Sequence, residues 1–104
     1  MNKRKITRVF RALSDETRLN IIQLLSDGEK CVCEIYSALK LSQPKVSRHL
    51  AYLRREGLVR SHKVGLWQHY SLNLELFAKL KLLKTLGIGK QAGAGKCRIG
   101  CGVK

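Results

Sequence analysis

With 104 residues and 44% hydrophobic content, the chain has material for one small core and not for two. Its 21 Lys and Arg against 7 Asp and Glu give a formal charge of +14, which makes polyanions its natural partners. No apolar run approaches the ~18 residues of a membrane span, and the basic start Met1–Lys5 is not followed by a signal-peptide apolar stretch. A cytoplasmic chain with cysteines kept as thiols is therefore expected, with no membrane partner.

In chain order, Ile6, Val9, Phe10 and Leu13 form the apolar stripe of a first helix. Ser14 is expected to cap a second helix, with Asp15 and Glu16 in its first turn and Leu19, Ile22 and Leu25 on its buried side. Gly28 breaks that helix. Val32, Ile35 and Leu39 then predict a shorter helix over residues 31–40. A longer one follows, with Ser42 as N-cap, Pro44 in the first turn, Val46, Leu50 and Leu53 on one face, and Gly57 closing it.

The tight Leu41-Ser42 link between these two helices makes a helix-turn-helix. From Leu58 to Leu72 the sequence turns rich in Val, Trp and Tyr around Gly65, which predicts a β-hairpin placed as a wing. Asn73 can cap a last helix carrying Leu74, Phe77, Leu80, Leu83 and Leu86, apolar on more than one face, so that one face packs on the domain and the surplus pairs with a second subunit. The expected fold is mainly α (α+β): a homodimeric winged helix-turn-helix of about five helices and one β-hairpin wing over residues 1–86. Residues 87–104, rich in Gly and Lys, read as a flexible tail carrying Cys97 and Cys101.

The solvent faces of the longer helix point to DNA. Ser42, Gln43, Lys45, Ser47, Arg48 and His49 are expected nearest the major groove, with Gln43 and Arg48 the base readers because both can make bidentate contacts. Arg60 and Lys63 of the hairpin should meet the backbone or the minor groove. Two-fold symmetry would imply a palindromic operator with half-sites about 34–36 Å apart, or a multiple of that.

The chemistry lies in four cysteines. Soft thiolates select soft ions, and Cys31-Val32-Cys33 has a counterpart in Cys97-Arg98-Ile99-Gly100-Cys101. A helix N-terminus and Lys30 beside the first pair would favour the thiolate. Residues i and i+2 of a helix point to nearly opposite sides, so one ion held by both Cys31 and Cys33 should unwind the first helical turn and shift the attached DNA helix, unless residues 31–33 are already non-helical.

Four segments in this order, Ala12–Leu19, Cys31–Ile35, Leu41–Val59 and Gly65–Trp67, resemble the ArsR/SmtB family of winged-helix repressors, and within it the arsenic-responsive members; the likeness covers roughly residues 6–86. The resemblance implies a homodimer, joined through its first and last helices, that sits on operator DNA until arsenite or antimonite binds cysteine thiolates and releases it. The chain departs from that pattern at Tyr36, where arsenic-responsive relatives commonly carry a third cysteine. Cys97 or Cys101, from either subunit, is expected to supply the missing ligand. The acidic and histidine ligands that related zinc sensors carry on the last helix have no equivalent beyond Glu75.

Alternatives share the fold: a repressor answering to a divalent soft metal ion (cadmium, lead or zinc), a thiol redox switch, or a DNA-binding protein whose four cysteines close a structural zinc site. Cys-x-Cys spacing fits a zinc knuckle poorly. No carboxylate pair, phosphate-binding glycine loop or Cys/His nucleophile arrangement indicates an enzyme. His62 and His69 could meet across the hairpin but are assigned a surface polar role and not a ligand role.

Overall fold

The computed structural model describes residues 2–82. Helix α1 spans Lys3–Leu13 and α2 spans Glu16–Leu24, followed by a 3₁₀ turn Leu25–Asp27. A two-residue strand β1 (Lys30–Cys31) leads straight into α3 (Val32–Leu39), and α4 (Gln43–Arg55) completes the helix-turn-helix. Strands β2 (Val59–Val64) and β3 (Trp67–Leu72) form the wing, and α5 (Leu74–Lys79) closes the described chain. The sheet is antiparallel in the order β1-β3-β2, with Cys31 opposite His69 and His62 opposite His69 on its other side.

The core is one cluster at the junction of these elements. Val9 and Ala12 of α1, Ile21 and Ile22 of α2, Ile35 of α3, and Val46, Leu50 and Leu53 of α4 are all buried in it. Leu58, Val59 and Leu72 bring the sheet onto the same cluster, and Phe77 anchors α5. The helical spacing of Val46, Leu50 and Leu53 buries one stripe of α4 and leaves its polar faces outward. Among the described residues no helix is long and apolar enough to cross a membrane.

Three local expectations change. Ser14 does not cap α2: it ends α1, its hydroxyl donating to the Arg11 carbonyl at 2.7 Å, and the Asp15 carboxylate takes the cap by accepting from the Arg18 N–H at 3.0 Å. An anionic acceptor there also meets the helix dipole. The helix expected from residue 31 begins at Val32, because Cys31 is extended (φ −80°, ψ 160°) and paired with β3. The last helix stops at Lys79: the N–H groups of Lys81 and Leu82 turn back to the carbonyls of Ala78 and Phe77, with Lys81 at φ 57°. Leu83, Leu86 and the tail with Cys97 and Cys101 lie outside the described residues.

The same double closure ends the two helices of the motif. At α3, the N–H groups of Lys40 and Leu41 bond to the carbonyls of Ser37 and Tyr36; at α4, those of Gly57 and Leu58 bond to the carbonyls of Arg54 and Leu53. Each needs a residue in the left-handed region. Gly57 (φ 84°) accepts this at no steric cost, whereas Lys40 (φ 56°) does not. Lys40→Gly should therefore stabilise the domain by about 0.5–1 kcal/mol, and Gly57→Ala should destabilise it by about 1 kcal/mol. A Cβ on Gly57 would meet only the flexible Lys5 Nζ, at 3.4 Å, so its cost is backbone strain. Urea denaturation of both variants checks the opposite signs.

Candidate functional site

Helix α4 is fixed at both ends. At its start the Ser42 hydroxyl accepts from the Lys45 N–H at 3.3 Å. At its end Lys5 of α1 donates its ammonium to the Glu56 carbonyl at 2.6 Å, a cation at the negative pole of the helix, while Arg8 reaches the buried Glu56 carboxylate at 3.2 Å. Between the ends, Arg18 of α2 stacks its guanidinium on the Tyr52 ring, 4.1 Å from the centroid. The same guanidinium donates to the Ala12 carbonyl at 2.6 Å, tying α1, α2 and α4 together. Nothing local in Asp15-Glu16-Thr17-Arg18 signals that the partners of Arg18 lie on two other helices.

Of the residues expected at DNA, Ser42, Gln43, Lys45 and Arg48 are exposed along the N-terminal half of α4, and Ser47 is half-buried beside them. His49 turns away, toward α2, with its Nδ1 3.4 Å from Arg18 and 4.0 Å from the Asp15 carboxylate. Burial lowers its pKa below 6.5 against the opposing pull of Asp15, so the ring is neutral near pH 7 and brings no charge to the helix surface. Lys63 is exposed on the wing. Arg60 lies lower, donating to Asn73 and to Glu75, each at 3.3 Å. Leu66, 91% exposed, forms the wing tip beside Gly65, whose φ of 63° supplies the positive angle a two-residue hairpin loop needs at its first position.

The Cys31 and Cys33 pair sits where wing and helix-turn-helix join. Cys31, the last residue of β1, is the N-cap of α3, Cys33 lies in its first turn, and both are buried. Glu34 accepts from the Cys31 N–H at 3.2 Å, holding the strand-to-helix corner. Because Cys31 is extended, the two sulfurs do not point apart as on a helix: they are 3.1 Å from each other. The expected unwinding of α3 is thus not needed to bring them to one ion. With metal–sulfur bonds of ~2.3 Å, a separation of 3.1 Å subtends about 85° at the ion. Lys30 does not serve the pair, since its ammonium bonds Asp27 at 2.8 Å. Cys97 and Cys101 lie outside the described residues.

A helix-turn-helix with a basic second helix, flanked by a β-hairpin wing, defines a winged-helix DNA-binding regulator rather than an enzyme. The model of the arsR family of bacterial regulatory proteins matches residues 15–61. The Escherichia coli (strain K12) arsenical resistance operon repressor is 56% identical over 66 residues, covering 62% of this chain and 56% of that one, so the match spans just over half of that repressor's length. The structure of reduced HlyU from Vibrio cholerae N16961 superposes with a TM-score of 0.71 at 41% identity, covering 82% of this chain and 90% of that one. A homodimeric winged helix-turn-helix DNA-binding domain from Mycobacterium bovis gives 0.69 at 27% identity, covering 88% and 89%. The chain belongs to the ArsR family of transcriptional regulators.

The cap at α2 gives a pH test. The Arg18 N–H bond holds the Asp15 carboxyl below its ordinary 3.8. A folded-state value below the unfolded one stabilises above the unfolded value, and that contribution is lost as pH falls through the lowered one. Asp15→Ala should cost about 1 kcal/mol at neutral pH, and the gap to wild type should narrow as the pH drops below 3.8. Urea midpoints from pH 7 to pH 3 read this directly.

Proposed function

We propose that the chain is a repressor that holds an operator as a homodimer and releases it when arsenite or antimonite binds Cys31 and Cys33, with Cys97 or Cys101 of either subunit as third ligand. The observation that carries this reading is the 3.1 Å contact between the two sulfurs at the joint of β1 and α3. Arsenite, as the trihydroxide, exchanges one hydroxide for each cysteine sulfur, and the thiol proton leaves with that hydroxide as water, one per cysteine. Membership of the ArsR family and the likeness to the Escherichia coli arsenical resistance operon repressor support arsenite over a divalent ion.

DNA is gripped by Ser42, Gln43, Lys45, Ser47 and Arg48 in the major groove and by Lys63 and Arg60 along the backbone. His49 acts from behind, through α2. A dimer doubles the formal +14 to +28, a large phosphate term that weakens steeply with salt. Phe10 on α1 and Leu74 on α5, 47% and 38% exposed, are apolar surface for a second subunit. Release follows from the position of the cysteines. Drawing in a third ligand pulls on the corner between β1 and α3, which is tied on one side to β3, the neighbour of the strand β2 that carries Arg60 and Lys63, and on the other through α3 to α4.

The test is arsenite titration of the reduced protein on a palindromic operator fragment selected from random DNA. Arsenite should weaken binding by roughly 5–150-fold, the usual range of such coupling. The double variant C31S/C33S should bind DNA as wild type does and ignore arsenite, and C97S/C101S should need more arsenite for the same release. Equal release of wild type and C31S/C33S would refute the thiol site, and an unchanged C97S/C101S response would remove the tail from it.

A further inference from the structure

One group of side chains is left over by this account. His69, on the central strand, is 4% exposed, and its Nδ1 has no hydrogen-bond partner. That atom lies 3.2 Å from Oε2 of Glu29, an ion-pair distance that is not aligned as a hydrogen bond. The same Oε2 is 3.4 Å from Nε2 of His62, the cross-strand partner of His69, whose ring centroid is 5.8 Å from that of His69. Two imidazoles and a carboxylate thus converge where the loop before β1 meets the wing, outside the hydrophobic core cluster. A surface polar role fits His62 but not the buried, unsatisfied His69.

We propose that Glu29, His62 and His69 form a site for a divalent zinc-class ion, separate from the thiol pair. Imidazole nitrogen and carboxylate oxygen are the donors that borderline divalent ions take, whereas a thiophilic metalloid takes sulfur. A tetrahedral ion with bonds of ~2.1 Å spaces its ligand atoms about 3.4 Å apart, and the two ligand pairs here stand at 3.2 and 3.4 Å. Among the described residues no group of three His, Cys, Asp or Glu side chains stands in an arrangement that could hold a metal ion as it is, so binding requires the two rings to move together on Glu29. His62, with its side chain 53% exposed, has room to turn, while His69 is fixed by its strand. Three protein ligands leave a fourth position for water.

An ion here would join the loop before β1 to both wing strands. Because His69 is the backbone partner of Cys31, the joint would brace the strand on which the thiols sit. The proposal does not rest on arsenite sensing and survives if that reading fails.

The experiment is titration of the reduced full chain with zinc alone, comparing wild type with H62A, whose exposed position leaves the fold intact. Even outer partners of metal ligands are worth ~10–100-fold in affinity, so H62A should lose at least about tenfold at one zinc per chain while any thiolate-bound zinc stays. The ¹⁵N resonance of His69 Nδ1 should move to a metal-bound position in wild type, and the melting temperature should rise with zinc in wild type but not in H62A. Identical zinc uptake by the two proteins, or a His69 Nδ1 resonance indifferent to zinc, would overturn the site and leave His69 as the plain ion-pair partner of Glu29.

Discussion

The strand pairing of Lys30 and Cys31 with Tyr70 and His69 is the constraint on which the arrangement turns. Without it residues 31–39 would continue as one helix, and the sulfurs of Cys31 and Cys33 would point to opposite sides. With it, Cys31 is held extended at the N-cap and its sulfur falls beside that of Cys33. The same two residues fasten the helix-turn-helix to the wing, so the two sulfurs proposed as ligands sit at the corner where these two parts join. The path from the cysteines to the DNA helix is short: α3 begins at Val32 and a three-residue link joins it to α4.

The DNA helix is positioned by groups that do not themselves face the groove. Lys5 and Arg8 hold the end of α4 through Glu56, and Arg18 clamps its middle through Tyr52. These ties run to α1 and α2, so the segment proposed to join two subunits also aims the helix. His49 belongs with this set: its ring, kept neutral by burial, fills the gap between α2 and α4. An excess of positive charge supplies attraction to phosphate, but direction comes from these buried or half-buried contacts.

The order of the elements could be read from the sequence because helical spacing, capping residues and glycine stops are local signals. Val46, Leu50 and Leu53, Ser42 as cap, Gly57 as stop and the hairpin around Gly65 stand as expected. What could not be read depends on contacts between distant segments. A two-residue strand has no periodicity of its own, so β1 was hidden inside an apparent helix, and with it the geometry of the thiols. Asp15 took the cap from Ser14 by a one-residue shift that the pattern does not fix. The depth of His69 and its approach to Glu29 follow from the same strand pairing, which is why the histidines looked like surface residues. Both the thiol pair and the histidine group therefore share one unseen cause.

The two sulfurs already stand 3.1 Å apart, so the proposed inducer would load the β1–β3 joint and not unwind α3. Amide hydrogen exchange of the reduced protein with and without arsenite tests it most directly. The account predicts altered exchange at Lys30, Cys31, His69 and Tyr70, while the amides of Ile35 to Leu39 keep their protection. Loss of protection through α3 on arsenite binding, with the strand amides unchanged, would contradict it.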